Sequence, residues 1–181
     1  EQKNELDIII NNAPVGILLM QSENIVKTNA TFQNMLGFSE IELQDFTIQN
    51  ILLPEDYKQN ELGFHQIKHG EIDIFSFNKR YRKKDGSVIW AKTNINSVRD
   101  NYGKVKYQVA LVEDITSDRE KTLIIDMVNN LTKSILGIND INQIAWEIVN
   151  NIAEYLDSDD CVIYLVDYES NTLEQIAVYG E

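Results

Sequence analysis

His65 and His69 stand four residues apart, the separation at which two imidazoles share one face of a helix and could ligate one metal ion. No Cys, Asp or Glu pattern completes such a site, and Lys68 stands beside them. The pair reads more simply as solvated side chains near the negative end of a helix dipole, so no metal site is expected. Cys161 is the single cysteine and precedes the run Val162-Ile163-Tyr164-Leu165-Val166, which makes it a core thiol rather than a disulfide partner, a metal ligand or a nucleophile. There is no glycine-rich phosphate loop and no Ser, His and Asp set in a recognisable context, so no catalysis is expected of these residues. Arg80, Arg82, Lys83 and Lys84 are dense enough to hold an anion, yet they border a turn and read as a solvated strand end.

The 181 residues allow one large domain or a complete domain with part of another. A net charge of −13 argues against a nucleic-acid surface, which needs clustered Lys and Arg to neutralise phosphates. The charge is uneven: residues 1–121 are nearly balanced, whereas residues 122–181 carry only Lys133 against 11 acids, as expected across a domain junction. The lone thiol suits a reducing, cytoplasmic compartment. The longest apolar runs, such as Val15 to Met20, fall far short of the ~20 residues that span a bilayer, and no signal segment opens the sequence. No membrane contact is expected, although a parent protein could be anchored elsewhere. The unpunctuated ends suggest a fragment of something longer.

The elements follow from periodicity and caps. A helix is expected over about Lys3 to Asn11, ended by Pro14, which pushes Ala13 out of helical geometry. Two short strands, Val15 to Met20 and Ile25 to Thr28, flank the turn Ser22-Glu23-Asn24. Asn29 caps a helix that Gly37 stops, and Ser39 with Glu42 forms a capping box for the next. A helical turn over Thr47 to Leu53 leads to Pro54, Glu55 and Asp56, which open a longer helix ended by Gly70. Three antiparallel strands then run from Phe75 to Thr116. Asp85-Gly86 supplies a two-residue hairpin turn and Asp100 to Gly103 supplies another. Ile89, Ala91, Thr93 and Ile95 alternate along the middle strand with Val88, Trp90, Lys92 and Asn94. Ser117 to Glu120 reads as a capping box ahead of a helix to Gly137. Its Ile124, Val128, Leu131, Ile135 and Ile138 make a heptad-like stripe, open to a coiled coil or to packing on its own domain. Asp140 starts a further helix with a broad apolar face through Leu156, and a β-hairpin from Cys161 to Tyr179 follows.

Strand, strand, helix, helix, long helix and three strands is the order seen in PAS domains, and the motifs agree with it. Arg82-Lys83-Lys84-Asp85-Gly86-Ser87 followed by Trp90 resembles that family's penultimate hairpin. Asp114-Ile115-Thr116 resembles its exit motif, and Leu53-Pro54-Glu55-Asp56 resembles the approach to its third strand. The resemblance covers roughly Asn11 to Arg119. It implies an α+β sensor module with a five-stranded antiparallel sheet over residues 13–116, preceded by a helix over 1–12 and followed by a linker helix over 117–137. Residues 138–181 resemble the opening of a GAF domain, with Ser158-Asp159-Asp160 at the entry to its first strand. The PAS resemblance also implies a cavity lined by Phe32, Leu36, Phe46, Ile51, Phe64, Ile67, Phe75 and Trp90. A simple core of these side chains is the plainer expectation. Glu61 stands where haem-binding members place a histidine, which argues against haem. The absence of Cys from Phe46 to Leu53 excludes covalent flavin photochemistry and leaves non-covalent flavin or a small organic ligand open. The implied relay is Asp114, Ile115 and Thr116. Asp114 would fix the strand exit while Thr116 or Ser117 caps the helix, so that sheet geometry sets helix orientation. The implied setting is the PAS-GAF input region of a bacterial sensor histidine kinase, dimeric through linker helix, PAS and GAF surfaces. A ligand-free dimerisation module, a cyclic-dinucleotide enzyme and a transcription regulator remain as alternatives.

Overall fold

Alternating apolar and polar side chains between residues 74 and 114 close as three neighbouring antiparallel strands, β3 (Ile74–Arg82), β4 (Val88–Arg99) and β5 (Val105–Asp114). The computed structural model describes residues 2–69, 71–156 and 158–180, without the side chains at positions 2–4, 6, 59, 60, 64, 68, 154 and 156. The polypeptide divides into two compact units, Glu1–Arg119 and Glu120–Glu181.

The first unit opens with α1 (Gln2–Asn11), then β1 (Gly16–Gln21) and β2 (Asn24–Thr28). Short helices α2 (Ala30–Leu36), α3 (Glu40–Gln44) and α4 (Ile48–Ile51) precede the long α5 (Pro54–His69). Gly70, expected to stop α5, lies outside the described residues. The sheet order is β2-β1-β5-β4-β3, so the last strand made sits between the first and the fourth. The expected five-stranded antiparallel α+β architecture, the PAS fold, is therefore present.

Local chemistry explains the punctuation. Asn29 caps α2 by accepting from the Phe32 amide at 3.0 Å, Gly37 ends that helix at φ 77, and Ser39 with Glu42 forms the expected box on α3. The β3–β4 and β4–β5 hairpins share one turn design, and it is longer than the two-residue turn expected at Asp85-Gly86. The Gly86 amide donates to the Lys83 carbonyl at 3.0 Å and the Lys83 amide to the Ser87 carbonyl at 2.8 Å. The second hairpin repeats this between Asp100 and Lys104, at 3.0 and 2.8 Å. Gly86 and Gly103 take φ 87 and 78, the left-handed position that such a bulged turn requires of its last residue.

The core lies between one face of this sheet and α2 to α5. Leu18, Met20, Ile25, Phe32, Leu36, Leu43, Ile48, Ile51, Ile67, Tyr81, Ala91, Ile95 and Val112 are buried in one cluster. Each fully buried Leu, Ile or Phe contributes about 1.5–3 kcal/mol against its exposed state, which makes this face the main source of stability.

Helix α6 (Thr116–Ile135) starts at Thr116, so Ser117 lies inside it rather than capping it, and none of its residues is buried. In the second unit α7 (Ile141–Leu156), with Asp140 accepting from the Asn142 amide at 2.8 Å, packs on a hairpin of β6 (Cys161–Asp167) and β7 (Thr172–Tyr179). Ala145, Val149 and Ala177 form its small core, with Cys161 partly buried against it. No helix among the described residues is long and apolar enough to cross a membrane.

Candidate functional site

Two adjoining features of the first unit could carry function: the exit from β5 into α6, and the inward face of β3. At the exit, the Thr116 amide donates to Asp114 Oδ1 at 2.9 Å, which holds the turn between strand and helix. Ile115 extends the sheet by donating its amide to the Trp90 carbonyl at 2.9 Å. The Thr116 hydroxyl does not cap its own helix. It accepts from the Trp90 amide at 2.9 Å and donates to the Trp90 carbonyl at 3.4 Å, so the start of α6 is laced to the first residues of β4.

Trp90 is the hub of this joint. The period of two along β4 puts Ile89, Ala91, Thr93 and Ile95 into the core and leaves Trp90 on the opposite face. Trp90 therefore does not line the core with the other cavity candidates. Its ring instead lies beneath the Arg119 guanidinium, 4.1 Å from the centroid, on the first turn of α6, and 5.4 Å from Arg80. Arg80 in turn is anchored to α5: its backbone amide and Nε donate to Asp56 Oδ2 at 2.7 and 3.0 Å, and Nη2 reaches Glu55 at 2.9 Å. Burial pushes the Asp56 carboxyl up, but the Arg80 hydrogen bonds outweigh it and hold the group below its usual value. A continuous run of contacts thus joins α5, β3, β4 and α6 through Asp56, Arg80, Trp90 and Arg119.

The inward face of β3 presents Phe75, Phe77, Lys79 and Tyr81. Phe32, Leu36, Ile51 and Ile67 are fully buried against this region, Phe46 and Phe75 are partly buried, and the Phe64 side chain lies outside the described residues. Phe32 meets Tyr81 edge-on at 6.0 Å, and the Tyr81 hydroxyl lies 3.3 Å from Thr93 Oγ1, with burial raising the phenol above its ordinary value. Gly63 of α5 stands so close to the Phe75 ring that a β-carbon there would collide with it. Phe32, Leu36, Ile51 and Ile67 thus belong to one buried cluster, with Phe46 and Phe75 packed against it.

Lys79 is the exception in that core. It is 1% exposed, and its Nζ rests over the Phe77 and Tyr81 rings at 4.7 and 4.9 Å from their centroids. Burial lowers its ammonium to about 7, against a weaker opposing pull from Asp56. Nothing in the residue types around Lys79 singles it out, although its place two residues from Phe77 and two from Tyr81 puts it on the apolar side of the strand. Elsewhere, the exposed His65 and His69 rings lie 4.2 Å apart on α5, and among the described residues no three potential ligands gather around a metal position. Lys84 reaches Glu42 at 2.6 Å, and this bond, with the Ser39 contacts, holds the Glu42 carboxyl at about 2.

Residues 25–112 match the family model described as PAS fold. The sequence is 32% identical over 143 residues to the probable diguanylate cyclase DgcE of Escherichia coli (strain K12), covering 76% of this chain and 13% of that protein. It is 23% identical over 132 residues to the sensor histidine kinase TmoS of Ectopseudomonas mendocina, covering 72% and 13%. The chain thus spans about an eighth of each of these curated relatives. A PAS domain of a Colwellia psychrerythraea protein superposes with a TM-score of 0.59 at 13% identity, over 65% of this chain and 99% of that one. A light-oxygen-voltage domain studied with a flavin analogue gives 0.54 at 20% identity, over 70% and 96%. The first unit therefore has the PAS fold.

Proposed function

We propose that this PAS domain passes changes in its core to α6 and thereby to an output domain of a larger signalling protein. The observation that carries this is the double anchoring of α6 on Trp90, by the Thr116 hydroxyl and by the Arg119 guanidinium. A sheet that shifts by a fraction of an ångström at β4 must move or release the first turn of the helix, because both attachments are short and directional. The output is a histidine kinase or a diguanylate cyclase, and the higher identity to DgcE favours the cyclase reading. The helix, strand, turn and strand of the second unit are read as the opening of a GAF domain, and α6 as a dimer contact between two copies.

Asp114→Ala tests the relay. Removing the acceptor for the Thr116 amide should raise hydrogen exchange at Thr116 to Arg119 at least tenfold and leave β4 protected. In the intact parent it should abolish the response while the domain stays folded. Unchanged output would refute the relay. The clustering of these side chains in one buried core favours a second reading, a ligand-free dimerisation module. Mass spectrometry under native conditions separates the two, since a retained flavin or small organic molecule supports sensing.

A further inference from the structure

We propose that Lys79 makes the core of the PAS domain selective for a small apolar monocarboxylate, its anionic head paired with Nζ and its body lying along Phe75 and Phe77. This deepens the sensory reading and rests on it. An ammonium withdrawn from water without a counter-ion is strongly penalised, and a methionine would fill the same volume without that cost. Among the described residues no carboxylate forms an ion pair with Lys79. The acid that influences it, Asp56, already receives the Arg80 amide at 2.7 Å, Nε at 3.0 Å and Nη2 at 3.0 Å, so its charge is answered by a different cation. One internal positive charge is left facing aromatic rings, which attract a cation weakly and cannot replace an anion.

The surroundings define the ligand class. The Phe77 and Tyr81 rings flank the amine, and Lys79 is the one buried cation among the described residues, so a single negative charge is matched while the second charge of a phosphate or dicarboxylate would be left unpaired in the core. The flanking Phe75 and Phe77 rings, 4.6 Å apart, offer flat apolar surface. They are half-buried on β3, an edge strand covered here by α5, whose Gly63 abuts Phe75. Both rings pack against the buried cluster around Leu18 and Val112 rather than lying within it.

Isothermal titration of the purified polypeptide with benzoate and butyrate, each against its uncharged amide, tests the assignment. At least one carboxylate should bind ten times more tightly than its amide, and Lys79→Met should abolish that preference while circular dichroism shows the variant folded. Equal affinity for acid and amide, carboxylate binding that survives in Lys79→Met, or no binding of any of the four compounds overturns the proposal. Amide binding shared by both proteins removes charge selection yet leaves a ligand-binding sensor. The relay itself is read separately, through exchange at α6 in Asp114→Ala.

Discussion

Lys79 and Trp90 show how a single position on a strand decides what a side chain can do. Strict alternation puts Lys79 with Phe77 and Tyr81, and Trp90 with Lys92 and Asn94, so both placements were legible in the sequence. They were obscured because a lysine beside Arg80 and Arg82 suggests a solvated strand end, and because a large aromatic near a PAS hairpin suggests a pocket. The pH dependence of stability tests the burial of Lys79. Its folded-state value lies near 7, below the ordinary 10.5, so between these limits the unfolded protein holds a proton that the folded protein has released. Stability must therefore rise as pH increases from about 7 to 10.5, with the full penalty in place below 7. Lys79→Met removes the penalty. It should be more stable than the native protein near pH 7 by about 1–4 kcal/mol, in line with hydrophobic replacement of buried charges. Urea midpoints measured from pH 6 to 10 should show that gap closing as pH rises, and a constant gap would mean the amine is solvated.

Among the elements, the helix caps and glycine stops were the most legible features, since Asn29, Gly37, Ser39 and Asp140 act locally through chemistry each residue type carries anywhere. What the sequence could not disclose is how one cap also serves distant partners. Asn29 is fully buried, and besides the Phe32 amide its Oδ1 accepts from the Ile17 amide at 2.8 Å, while Nδ2 donates to the carbonyls of Ile10 and Val15 at 2.9 and 3.0 Å. One amide thus pins α1, β1 and α2 together. Asn29→Ala should cost about 3 kcal/mol or more, because it deletes a cap worth ~1 kcal/mol and strands further backbone groups at about 1 kcal/mol or more each. Denaturant titration checks this; a loss limited to the cap alone would mean that water replaces the other bonds. The hairpins carried a subtler error. Asp85-Gly86 signals a turn correctly, but whether its glycine ends a two-residue or a bulged turn depends on the Lys83 to Ser87 pairing, which no local motif specifies.

For the whole molecule, unpartnered apolar surface is the main feature beyond the PAS core. Ile124 and Val128 of α6 are each 48% exposed, and in the second unit Tyr164, Leu165, Val166 and Leu173 are also exposed around a two-stranded sheet. Such edges and stripes favour self-association. Val128→Glu is expected to shift the protein toward monomer by at least tenfold in dissociation constant, measured by light scattering across a concentration series. A native protein that stays monomeric throughout that series would remove the dimer from the proposed function. The place of β5 between β1 and β4 has a further outcome, during synthesis. Until Val105 to Asp114 has left the ribosome, the nascent polypeptide can hold only two separate hairpins, and the central seam must wait for partners as far apart in the sequence as Gly16 and Val112. Under the proposed relay, the strand that leads into α6 is also the one whose arrival completes the domain, so only an input module that has finished folding could drive an output.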